Sequence, residues 1–90
     1  LSRLTMMYFK TKDYESAKKI FIRAQAKDPQ DWKNYNNLGT IAYQQNEWTL
    51  AEQYFKDALS RNPSAVVPRR NLIKTLLKQG REEEARKIGR

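Results

Sequence analysis

Ninety residues carry 18 Lys and Arg against 10 Asp and Glu, a formal net charge of +8, with neither Cys nor His. That composition removes thiolate and imidazole metal ligands, thiol nucleophiles and the commonest general base together, and it excludes a disulfide framework. A chain of this length folds as one unit, and no apolar run approaches the roughly 18 residues that span a bilayer.

The opening stretch, LSRLTMMYFK, holds Leu4 and Tyr8 at helical spacing and is followed by no small-residue cleavage site. It is expected to form a first helix over about residues 1–11 and not a leader. Thr11-Lys12-Asp13 makes a turn, with Asp13 placed to cap the next helix. That helix, about 14–27, carries Tyr14, Ala17, Phe21 and Ala24 at spacings of three and four, while Lys18, Lys19, Arg23 and Lys27 lie mostly off the stripe. Asp28-Pro29-Gln30-Asp31 breaks the chain, because the residue before a proline is pushed out of helical geometry.

Asp31 is placed to cap a helix over about 32–45, whose apolar stripe is Tyr35, Leu38, Gly39 and Ala42. Asn46 suits a left-handed C-terminal cap. A helix over about 48–61 follows, with Trp48, Ala51, Phe55, Ala58 and Leu59 inward, and Asn62-Pro63-Ser64 repeats the earlier break. Pro68 falls in the first turn of a helix over about 66–79, where a missing N–H does little harm. Leu72 and Leu76 point inward and Gly80 ends that helix. Glu82, Glu83 and Glu84 open a last helix over about 82–88, where they suit the positive end of the helix dipole, and Ala85 is its clearest apolar contact.

These elements repeat with a period of 34 residues. Leu4, Leu38 and Leu72 fall in register, as do Ala17, Ala51 and Ala85. So do Tyr14 with Trp48, Phe21 with Phe55, Ala24 with Ala58, and Pro29 with Pro63. The period and the Leu-Gly…Ala…Phe…Ala…Pro order resemble the tetratricopeptide repeat (TPR) family. The resemblance implies an all-α fold, a right-handed superhelical array of antiparallel helix pairs forming one domain over 1–90. Its repeats would be 1–31, 32–65 and 66–90, the first and last partial. Small residues mark where paired helices approach within 8–10 Å. Thr5 and Ile73 stand in the slot of Gly39, so the outer repeats are expected to pack more loosely or at a different tilt. Both ends are expected to be unfinished, either within a longer array or paired with another copy of the chain.

In the family, a second stripe on the first helix of each repeat lines a concave groove that holds an extended peptide or a partner helix. Carried over by register, the lining is Ser2, Met6, Phe9 and Lys10, then Lys33, Asn36, Asn37, Thr40, Tyr43 and Gln44. The third repeat adds Val67, Arg70, Asn71, Lys74, Leu77 and Lys78. This set holds five basic residues and no acid, and Arg70, Lys74 and Lys78 share one helical face. Asn amides both donate to and accept from a peptide backbone. Phe9, Tyr43 and Leu77 either offer apolar contacts to a ligand or pack against neighbouring helices. The carboxylate clamp of TPR co-chaperones would fall on Ser2, Met6, Asn37, Val67 and Asn71, of which Asn37 alone matches.

The implied function is non-enzymatic protein interaction, as a scaffold or adaptor whose partner is an acidic peptide with apolar anchors. No cofactor is implied, and a cytoplasmic setting is the expectation. Residues 66–90 hold eight basic and three acidic residues, whereas 32–65 hold three of each. The basic third repeat makes RNA or other nucleic acid the alternative partner, and it also suits a plain solvated surface. Self-association through the unfinished ends is a further possibility. Against catalysis, Glu47, Glu52 and Asp57 are expected on outer helix faces without clustered partners. The glycines at 39, 80 and 89 form no phosphate-binding loop.

Overall fold

The computed structural model describes residues 14–89, in which five helices and no strand are formed. The helix expected over 1–11 and the Asp13 cap lie outside the described residues. The helices are α1 (Tyr14–Lys27), α2 (Trp32–Gln44), α3 (Trp48–Arg61), α4 (Val66–Lys78) and α5 (Glu82–Gly89). Each packs on its chain neighbour, and α2 also touches α4, so the chain is an array of stacked helix pairs.

Local chemistry sets most of the boundaries. Asp31 lies in extended backbone and its carboxylate accepts the Lys33 N–H at 3.1 Å, satisfying one of the orphan donors at the start of α2. Two helices end in the same motif. After α2, Asn46 at φ 60° donates its N–H to the Tyr43 carbonyl and Glu47 donates to Ala42. After α4, Gly80 at φ 73° donates to Leu77 and Arg81 donates to Leu76. This is a Schellman closure, which needs a residue in the left-handed region at its centre. Glycine and asparagine adopt that region at least cost. The shared closure places Glu47 and Arg81 at equivalent points of successive repeats.

Two apolar clusters hold the stack. Ala17 and Phe21 of α1 meet Leu38 and Ile41 of α2. Ala42, Ala51, Phe55, Leu72, Leu76 and Ala85 form the second, drawing on α2 to α5. The alanines expected at the close approaches, Ala17, Ala51, Ala58 and Ala85, are all buried, while Ala24 is only half-buried. Gly39 shows why the approach is tight: a Cβ there would stand 2.6 Å from Cε1 of Phe55. The third repeat reverses the pairing. Ile73 replaces Gly39, and Gly89 replaces Phe55, so the large side chain comes from the first helix and the gap from the second. A Cβ on Gly89 would meet Cδ1 of Ile73 at an ordinary 3.7 Å.

Polar contacts tie successive repeats together. The Arg61 side chain lies over the Tyr35 ring at 3.9 Å and donates to the carbonyls of Pro29 and Asp57. The Tyr35 hydroxyl accepts from Gln25, so one arginine locks the turn between α1 and α2 to the end of α3.

Candidate functional site

Helices α2 and α4 line a concave cavity of about 260 Å³. From α2 come Asn36, Thr40, Tyr43 and Gln44, and from α4 come Val67, Asn71 and Lys74. Those seven were expected to share the groove. Phe55 of α3 completes the lining and was read only as core. Its place follows from Gly39, which lets the ring slide close to α2.

Two side chains organise the polar wall. The Asn71 amide donates to the Asn36 carboxamide oxygen at 3.1 Å, across 35 residues of chain. That bond uses one donor of Asn71 and one acceptor lone pair of Asn36, leaving the Asn36 amide and the Asn71 carbonyl for a ligand. Thr40 turns its hydroxyl back onto the Asn36 carbonyl at 2.9 Å, as Thr75 does to Asn71 at 2.8 Å. Lys74 is the cation of the lining, which contains no acid.

The remaining expected groove residues are distributed otherwise. Lys33, Asn37 and Arg70 flank the cavity without lining it, and Met6, Phe9 and Lys10 lie outside the described residues. Lys78 is drawn to the aromatic pair formed by Tyr43 and Trp48, with Nζ 5.8 Å from the Trp48 ring centre. Leu77 belongs to a different cavity, between α4 and α5. Of the two roles open to Leu77, groove contact or packing against a neighbouring helix, its position facing α5 fits the second.

A second correction concerns Glu52, expected on an outer face without partners. It is buried, at 8% relative exposure. Its carboxylate receives Lys56 at 2.8 Å, Arg81 at 2.5 Å and Gln79 at 3.1 Å, and Arg81 reaches on to Glu84. Burial pushes the Glu52 carboxyl upward, but hydrogen bonds from Lys56, Arg81 and Gln79 overcome it and bring the pKa down to about 2. The hydrogen bonds Arg81 donates to the Glu84 and Glu52 carboxylates raise its guanidinium, and the bond from Arg81 lowers Glu84. This network joins α3 to the turn before α5 and is structural. Sequence reading missed it because Gln79 and Arg81 stand 27 and 29 residues downstream of Glu52.

A tetratricopeptide repeat family model matches residues 8–66, well over half of the chain. The chain belongs to the tetratricopeptide repeat family. Over 61 residues this TPR chain is 38% identical to Anaphase-promoting complex subunit 6 of Arabidopsis thaliana, covering 68% of the chain but 11% of that protein. Solved structures of MamA AMB-1 and MamA MSR-1 superpose with a TM-score of 0.81 each, at 24% and 21% identity. The superpositions take in 94% of this chain and 46% and 49% of theirs, and they establish the fold. The TPR chain thus spans about half, or far less, of these relatives. A general role as a protein-interaction scaffold follows from the family. Among the described residues no helix is long and apolar enough to cross a membrane.

Proposed function

We propose that this TPR segment captures an extended acidic peptide, or the matching face of a partner helix, in the cavity between α2 and α4. The observation that carries the reading is the convergence of Asn36, Asn71 and Lys74 on one concave wall above an apolar floor of Phe55 and Val67. The bonded asparagine pair offers a donor and an acceptor side by side, which is what one peptide unit requires. Lys74 selects for a carboxylate, and the floor accepts a neighbouring apolar side chain. Asn37 alone fills a slot of the co-chaperone clamp, so the ligand contact proposed is internal to a peptide and not its C-terminal carboxylate.

The nucleic-acid alternative loses support from the third repeat. Arg69 donates to the Pro63 carbonyl, Arg81 is held by Glu52 and Glu84, Arg86 pairs with Glu82 and Glu83, and Lys78 lies against Trp48. Among the described residues of that repeat, Arg70, Lys74 and Lys87 are the exposed basic side chains that make none of these contacts.

Titrating acidic peptides with apolar residues into isotopically labelled protein tests the proposal. The side-chain amide signals of Asn36 and Asn71 are expected to shift together, while those of Gln25 stay in place. Shifts confined to Gln25 and the α1 surface would overturn it.

A further inference from the structure

Arg70, Lys74 and Lys78 stand at four-residue intervals along α4, and like charges at that spacing cost a helix stability. The acids of the chain do not relieve that cost. Among the described residues, carboxylates pair with Lys56, Arg81 and Arg86 but with no member of this row. Two of the three face back onto the preceding repeat, so their setting is fixed inside the stack. Lys74 lines the cavity between α2 and α4. Lys78 stands one turn further on, beyond the lining, with Nζ 5.8 Å from the Trp48 ring centre.

The Lys78 ammonium is placed by rings and not by an acid. Trp48 meets Tyr43 edge to face, with centroids 5.1 Å apart and planes at 73°, and Tyr43 is part of the cavity lining. The aromatic pair therefore continues the α2 wall to the point where Lys78 lies. A ring attracts an ammonium through the negative charge of its face, and the ammonium carries three donors. The ring contact leaves donors for a carboxylate. Lys78 is exposed, so meeting a carboxylate there buries no charge. Neither lysine stands in a slot of the co-chaperone clamp, which would fall on Val67 and Asn71 of this helix.

Four residues of helix advance about 6 Å. Two residues of extended peptide advance about 6.7 Å, and alternate side chains leave the same face. Lys74 and Lys78 thus match carboxylates at positions j and j+2 of an extended peptide, and two long flexible side chains absorb the small difference. Adjacent acids would leave opposite faces, so one of them would turn away from α4. The residue between the matched acids turns towards α2, where Tyr43 offers an apolar ring. We infer that the ligand is read as acid, apolar, acid, with Lys74 and Lys78 taking the two carboxylates and Trp48 positioning Lys78. This deepens the peptide-groove reading and rests on it.

Two labelled peptides of the same composition test it, one with its acids at j and j+2 around an apolar residue, the other with them adjacent. Fluorescence anisotropy with the 90-residue chain, at physiological salt, is expected to show the alternating peptide bound about fivefold more tightly, the size of one good exposed ion pair. Lys78→Gln is expected to remove that preference and to leave the affinity for the adjacent-acid peptide unchanged. Lys78→Arg, which keeps the charge and the ring contact, is expected to retain it. Trp48→Leu is expected to narrow it. The ratio of two affinities measured on one sample does not depend on how much of the sample is folded, so lost stability cannot mimic these results. Equal binding of the two peptides by the native chain, or a preference that survives Lys78→Gln, would overturn the inference and leave the groove reading standing. An unchanged preference in Trp48→Leu would overturn the positioning role of Trp48. Failure of both peptides to bind would remove the groove reading and this inference with it.

Discussion

At the scale of single residues, the fold depends on positions where an added carbon has nowhere to go. Gly39 is the sharpest, since its missing Cβ would stand 2.6 Å from a Phe55 ring that is itself buried. Gly39→Ala is expected to destabilise by about 1–3 kcal/mol through overpacking, read as a shift of the urea midpoint without a change in slope. Ala51, with no exposure at all, predicts a loss of the same order for Ala51→Leu. Asn46 tests the backbone instead of the packing. Its φ of 60° costs an ordinary side chain about 1 kcal/mol, so Asn46→Ala should lower stability by that much and Asn46→Gly should not. Thermal melts of the two variants separate them. These positions were legible in the sequence because they follow local rules: small residues recur in register, and asparagine stands where a left-handed cap is wanted. The exchange of Gly39 and Phe55 for Ile73 and Gly89 was half legible. Ile73 was visible as an intruder in a small slot, but its compensation lies sixteen residues on and requires knowing which side chains face each other.

At the scale of helices, the Glu52 network is the contact that most distinguishes this array. It brings Lys56 of the same helix and Gln79 and Arg81 of the α4–α5 turn onto one buried carboxylate. Its folded pKa, about 2, lies below the ordinary 4.5. The stabilisation is therefore complete above about pH 4.5 and is lost as the pH falls toward 2, when the folded state must take up the proton it resists. Unfolding free energies measured between pH 6 and pH 2 are expected to fall more steeply for the native chain than for Glu52→Gln, and the two curves should converge at the acid end. Parallel curves would mean that the carboxylate contributes nothing through its ionisation. Helix existence and ends were readable from stripes and caps. The network was not, because burial of an acid on α3 depends on a turn that reaches it only once α4 has packed.

At the scale of the whole molecule, stacking one helix pair on the next creates the surface discussed above. The concave wall forms because α2 and α4 occupy equivalent places in successive repeats, which is why seven residues drawn from a period of 34 meet in one cavity. The convergence was foreseeable from the family resemblance, carried over by register. The fate of the charges was not: Lys78 leaves the groove for Trp48, and most of the third repeat's arginines are held by carbonyls and carboxylates of their own chain. Lys74 remains in the lining and Arg70 remains exposed on the same helix, and the proposed reading assigns to these two the selection for an acidic ligand. Lys18 and Lys19 on α1 form a comparison pair of the same charge away from the groove. The most direct measurement is binding of an acidic peptide with apolar anchors to Arg70→Glu/Lys74→Glu and to Lys18→Glu/Lys19→Glu. The account predicts that the first double reversal abolishes binding and the second leaves it in place. Equal loss from both would show that general positive charge, and not the cavity between α2 and α4, holds the ligand.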